Sequence, residues 1–194
     1  MTPGGTFVDV GANVGLYTSV IANIPGANCI AIEPNARAFT RLATNASRSK
    51  SSHIRLINVA LASSHTLLEM VTPSGTNLGM TRVTNCVRAK SWSVYAVPMH
   101  ELLTTLNITS ITLLKIDVEG YESEVLRGLK LDGNEAPENI IMEHLTSVDE
   151  WQPGLSYCVD LLRANGYKAH TVEGTPLEQT EVIPEDNVWW KRTH

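Results

Sequence analysis

A strand, a glycine-bearing turn and a helix, read in that order over residues 6–24, narrow the fold more than any other feature. TFVDV at 6–10 reads as a strand, GANVG as the turn, and 14–24 as a helix ending before Pro25 and Gly26. The alternation continues. CIAIE at 29–33 reads as a second strand. Pro34 and Asn35 open a helix to residue 47 with Ala38, Phe39, Leu42 and Ala46 on one face, and 54–61 is a third strand. Strands separated by helices of this length build a parallel sheet covered by helices, an α/β fold. With 194 residues, 43% of them hydrophobic, the chain can fill such a core without disulfides or structural metal. Cys29, Cys86 and Cys158 are widely spaced and form no CxxC pair, which suits a reducing compartment.

The middle of the chain departs from simple alternation. Runs 67–71 and 93–98 read as strands flanking a Gly, Ser and Thr-rich stretch at 72–84, so a β excursion over 72–97 is expected inside a single domain, 1–194. A short helix at 99–106 follows. ITLLKIDV at 111–118 is apolar enough to be a central strand covered on both faces, where Lys115, Asp117 and Glu119, alternating onto one face, need partners or a task. A helix at 120–129, a strand at 139–145, a helix at 155–165 closed by Gly166, and strands at 167–172 and 182–193 complete the reading. Fifteen basic against twenty acidic residues, a net charge of -5, repel polyanions and argue against nucleic acid as the main partner. No apolar run reaches the length of a membrane span and the start lacks a signal-type pattern, so a cytoplasmic protein is expected.

Chemistry concentrates at the first turn. Asp9 stands two residues ahead of Gly11 in a GxNxG turn, where glycines let the backbone approach a ligand and the helix start presents unpaired amides. The GxGxxG of a dinucleotide fold and the lysine of a phosphate loop are both missing. Asp9 would repel a phosphate and suits a cationic ligand. Glu33 ends the second strand about twenty residues on, where a carboxylate accepts ribose hydroxyls. Each feature alone also fits a tight turn or a solvated acid; in this order and spacing they point together to a nucleoside-bearing ligand.

FVDVGANVGLYT, AIEPN, INVAL and LLKIDVEGYESEVLRGL resemble the FkbM-type branch of class I S-adenosylmethionine-dependent methyltransferases. The resemblance covers nearly the whole chain, and LKIDVEGYE at 114–122 is its most specific element. It implies a Rossmann-like, seven-stranded, mostly parallel sheet with a C-terminal antiparallel hairpin and a β insertion before the central fourth strand. It also implies a cofactor, S-adenosylmethionine, lying across the carboxyl ends of the first strands. Asp9, Gly11, Asn13 and Gly15 would surround its methionine part with Tyr17 and Thr18 close by, Glu33 would hold the ribose, and Asn58 and Ala60 would border the adenine.

Methyl transfer to a hydroxyl needs the oxygen aligned and its proton removed or shared. Asp117 is the first choice for contacting cofactor and substrate oxygen, with Glu119 beside it, and His144 is the natural base because imidazole titrates near pH ~6.5. Glu122 and Glu124 read as acids offsetting a helix macrodipole, and His53 and His100 as structural. The tetrapeptide Asp117, Val118, Glu119, Gly120 lacks the two prolines and aromatic of enzymes that methylate planar amines, which favours an oxygen acceptor. The family's association with sugar, glycolipid and polyketide hydroxyls makes a glycan the expected acceptor. Trp92, Tyr95, Trp151 and Tyr157 are either a stacking platform for a sugar or packing anchors. Asp117, Glu143 and His144 have the chemistry to gather a divalent ion, but no ligand spacing demands one and no metal is expected.

Enzymes of the family usually carry helices upstream of the first strand that cover the cofactor, and three arrangements stay open for this chain: an excised domain with a neighbour covering the site, a minimal enzyme with an open pocket, or a site closed against a second copy. Two other readings stay open. One is a non-catalytic nucleoside-binding module using the same pocket for assembly or regulation, against which intact Asp117 and Glu119 count. The other is a nicotinamide oxidoreductase.

Overall fold

A computed structural model describes residues 1, 3–49, 51, 53–72, 81–84, 91–133, 135–143, 152–178 and 187–193. Its large sheet is built from β1 (Thr6–Val10), β2 (Asn28–Ile32), β3 (Ile54–Ile57), β8 (Leu113–Ile116), β9 (Asn139–Glu143), β10 (Tyr167–Thr171) and β11 (Asn187–Arg192). The spatial order is β10-β11-β9-β8-β1-β2-β3, so β8 is central with three strands on either side. All neighbours are parallel except β11, which runs antiparallel to both β9 and β10. The mostly parallel, seven-stranded sheet implied by the resemblance is therefore present, with its last strand wedged between two earlier ones.

Helices cover both faces because β8 alternates its side chains between them. Leu114 and Ile116 are buried with Val8, Val10, Ile30, Ile32 and Ile140 against α3 (Met99–Thr105), α4 (Glu122–Arg127) and α5 (Gln152–Ala164). Burial of each such side chain stabilises the fold by about 1.5–3 kcal/mol, and this layer holds the largest set of them. On the opposite face α1 (Leu16–Ile21) and α2 (Ala36–Ala46) form smaller clusters, Phe7 with Ala22 and Cys29, and Ala12 with Ala31 and Leu42. Asn35 caps α2, its Oδ1 accepting from the backbone N–H groups of Arg37 and Ala38.

A second sheet, in the order β4-β7-β5-β6, comprises β4 (Ala60–Leu61), β5 (Thr66–Val71), β6 (Arg82–Val83) and β7 (Trp92–Val97). It starts upstream of the excursion expected at 72–97. The run read as one strand over 54–61 is divided: Ile57 ends its part in the large sheet, and Ala60 and Leu61 pair with β7 instead. The Asn58 amide donates to the carbonyls of Glu33 and Pro34 between the two halves, tying that turn to the end of β2.

Two helices are shorter than their apolar patterns suggest. Left-handed backbone at Asn13 (φ 51) and Gly15 (φ 87) delays α1, and the same conformation at Glu119 (φ 55) and Gly120 (φ 98) delays α4. The expected ends of strands at 144–145 and 182–186 lie outside the described residues.

Candidate active site

The carboxyl ends of β1, β2 and β8 meet at the glycine turn. Gly11 has φ +76, and a Cβ there would stand 1.8 Å from the Asp117 carbonyl oxygen. Only glycine allows β1 to leave the sheet this close to the central strand. Beside the turn lies a cavity of about 320 Å³, bounded by Gly11, Asn13, Glu33, Ala60, Asp117 and Glu119. Leu61, Leu68, Met70 and Val83 complete one wall, so the second sheet supplies an apolar side to a cavity whose polar side comes from the large sheet.

Glu33 is 6% exposed and its carboxylate is fixed by main chain: Asn13 N–H donates to Oε2 and Asn35 N–H to Oε1, each at 2.8 Å. Burial raises its pKa above the usual carboxylate range, opposed by those two bonds. A carboxylate offers about four lone-pair sites, so two remain for hydroxyl donors in the cavity.

At the tip of β8 the acids are arranged differently. Asp117, Glu119 and Glu143 each place an oxygen within 4.8 Å of the others. Burial first, then the charges of Asp117, Glu119 and Glu122, push the Glu143 carboxyl up to about 7, and its Oε2 is buried without a hydrogen-bond partner. Burial also raises Glu119, with Asp117 and Glu122 adding to the effect. Glu122 itself accepts from the N–H groups of Val118 and Gly120 and so holds the left-handed turn, a structural task beyond the macrodipole role expected of it.

The sequence pattern of the methyltransferase FkbM domain matches residues 9–169. The chain belongs to the FkbM methyltransferase family. A hexuronic acid methyltransferase, AglP of Haloferax volcanii, is 31% identical over 121 residues, 62% of this chain and 48% of the relative, so the match spans about half of that protein's length. Among solved structures, a precorrin-6y C5,15-methyltransferase from Geobacter metallireducens aligns over 98% of this chain and 80% of its own, at 14% identity and TM-score 0.50. Aeropyrum pernix fibrillarin, whose structure holds natively bound S-adenosyl-L-methionine, aligns over 97% of this chain and 66% of its own, at 12% identity and TM-score 0.52. These likenesses show the class I methyltransferase fold.

The cofactor of this FkbM-family chain is S-adenosylmethionine, and the cavity fits it: a backbone cradle at Gly11, spare acceptor sites on Glu33, and a wall of apolar side chains. Of the residues expected around it, Gly11, Asn13, Glu33 and Ala60 line the cavity. Asp9, Gly15, Tyr17, Thr18 and Asn58 do not. Asp9 is fully buried behind the wall, where Thr18 Oγ1 donates to its Oδ2 at 2.6 Å. Gly15 starts α1, the Tyr17 ring lies 4.9 Å from the Lys115 ammonium, and Asn58 ties down the end of β2.

Asp117 and Glu119 line the cavity as expected, whereas His144 and Trp151 lie outside the described residues. Neither Trp92 nor Tyr95 reaches the cavity. Tyr95 shares a face with the exposed Leu67, opposite the face that carries Leu68, and bonds His65 through its hydroxyl; Tyr157 stacks on Arg127. Tyr121 and the apolar wall carry no signal in the sequence, because apolar residues in short strands carry no mark of which face meets a ligand; Glu143, named from the sequence only as a potential metal ligand, stands with Asp117 and Glu119.

Proposed function

We propose that this methyltransferase transfers the methyl group of S-adenosylmethionine to an oxygen of a sugar or glycoconjugate, a hydroxyl in the first instance. One observation supports this most: Asp117 and Glu119, both acceptors when ionised, stand at the tip of the central strand in the same cavity as Glu33. When bound, the donor supplies an electrophilic methyl group on a sulfonium centre. Glu33 holds ribose hydroxyls through its two spare acceptor sites, and Gly11 and Asn13 let the main chain lie against the ligand. Asp117, 35% exposed at its side chain, accepts the hydrogen bond of the incoming hydroxyl, aligning the oxygen, and takes or shares its proton as a C–O bond forms in place of the S–CH3 bond, whose electron pair stays on the departing thioether sulfur. Glu119 and Glu143 lie close enough to receive that proton. The hexuronic acid named for the curated relative supports a sugar acceptor.

The test is transfer of a labelled methyl group to a panel of hexose and hexuronic acid glycosides. An alkali-stable methyl ether on a sugar is the expected product. Label lost to mild alkali would identify a carboxyl oxygen as the acceptor and overturn the hydroxyl assignment, and saturable donor binding with no transfer would favour a binding module.

A further inference from the structure

Lys115 is the one buried cation among the described residues, 4% exposed on β8. Its neighbour across the sheet is Asp9 on β1, and Asp117 follows two residues later on the same face. The ammonium bonds these two carboxylates unequally. It lies 2.9 Å from Asp117 Oδ2, a hydrogen bond, and 3.8 Å from Asp9 Oδ1, an oxygen that is buried with no hydrogen-bond partner. The Tyr17 ring, 4.9 Å from the nitrogen, flanks the ammonium. If the lysine served only to neutralise a buried acid, its short bond would go to Asp9, which no water reaches. It goes instead to Asp117, the carboxylate that faces the cavity and that solvent can already stabilise.

We propose that Lys115 is a positioning residue for methyl transfer, holding the Asp117 carboxylate in a fixed orientation at the cavity wall. The proposal rests on the acceptor-side role assigned to Asp117. Asp9, braced from behind by Thr18, holds the lysine in place, so the buried trio transmits the rigidity of two strands and α1 to one carboxylate. An aspartate at a strand tip otherwise has rotamers to spend, and misplacement of an aligning group is costly to rate and cheap to binding.

Replacing Lys115→Met tests this with two readouts. In turnover of whichever glycoside the wild type methylates, kcat should fall about 10- to 100-fold while the donor KM stays within about threefold. In carboxyl 13C NMR, which needs no acceptor, the Asp117 resonance should move on adding S-adenosylmethionine to wild type and lose most of that response in the variant. If Lys115→Met does not fold, Asp9→Asn combined with Lys115→Met removes the second buried charge, and the same losses are expected. Full turnover in either variant, or an unchanged Asp117 response, would overturn the proposal. Should the wild type methylate no glycoside, the acceptor reading fails by itself and the NMR response alone decides on Lys115: loss supports the positioning role and retention refutes it.

Discussion

Glu33 and Glu143 are both glutamates at strand ends, the first buried and the second half-buried, yet their surroundings differ in kind. Each Glu33 oxygen takes a backbone N–H, so the charge is held by groups that cannot move or titrate. Glu143 faces other carboxylates, Asp117 and Glu119, and one of its oxygens has no donor at all. A carboxylate satisfied by main chain is suited to hold a ligand. Carboxylates pressed against one another are suited to exchange protons, because each ionisation raises the cost of the next.

The contrast can be broken most forcefully at its reactive end. Asp117→Asn should lower kcat by about 100-fold or more, with donor affinity changed only a few-fold, as measured by steady-state kinetics and calorimetry. Next in size, Glu33→Ala should weaken binding of S-adenosylhomocysteine by about 10- to 100-fold, since hydrogen bonds to a charged group contribute about 1.5–3 kcal/mol. It should also lower Tm, because the N–H groups of Asn13 and Asn35 lose their acceptor. A Glu33→Ala protein that binds with wild-type affinity would leave the two ends of the cavity indistinguishable.

The smallest effect concerns pH. Because the folded-state pKa of Glu143 is raised from 4.5 to about 7, its favourable contribution is complete below pH 4.5 and is lost as pH rises through about 7. Denaturant unfolding of Glu143→Gln should therefore show a shallower decline in stability between those values than wild type. An identical slope would remove Glu143 from the acidic group.

Much of the donor end is legible in the sequence because local rules decide it. TFVDV predicts a strand at 6–10 and the structure has Thr6–Val10; Glu33 and Gly11, marked by their spacing, line the cavity. The acceptor end is not local. Glu143 enters through the pairing of β8 with β9, and the role of Lys115 depends on which of two carboxylates its nitrogen approaches more closely, a difference of under 1 Å between 2.9 and 3.8 Å. The division of 54–61 is equally hidden, since the Asn58 bonds that mark it reach back to Glu33 and Pro34. The apolar pattern overstates helix length where left-handed residues, Asn13 and Glu119 among them, lengthen turns without altering that pattern.

The placement of β11 between β9 and β10 governs the order in which a nascent chain can assemble. Six strands of the large sheet leave the ribosome before the one that splices β10 to the rest, so β9 waits with an unpaired edge and β10 has no ladder to join. Sheet closure is thus postponed to the emergence of residues 187–192, a long-range pairing that slows folding and leaves apolar Ile140 and Met142 at a temporary border. Clipping or mutating that final ribbon would be felt first as poor yield of folded protein and only secondarily as lost catalysis.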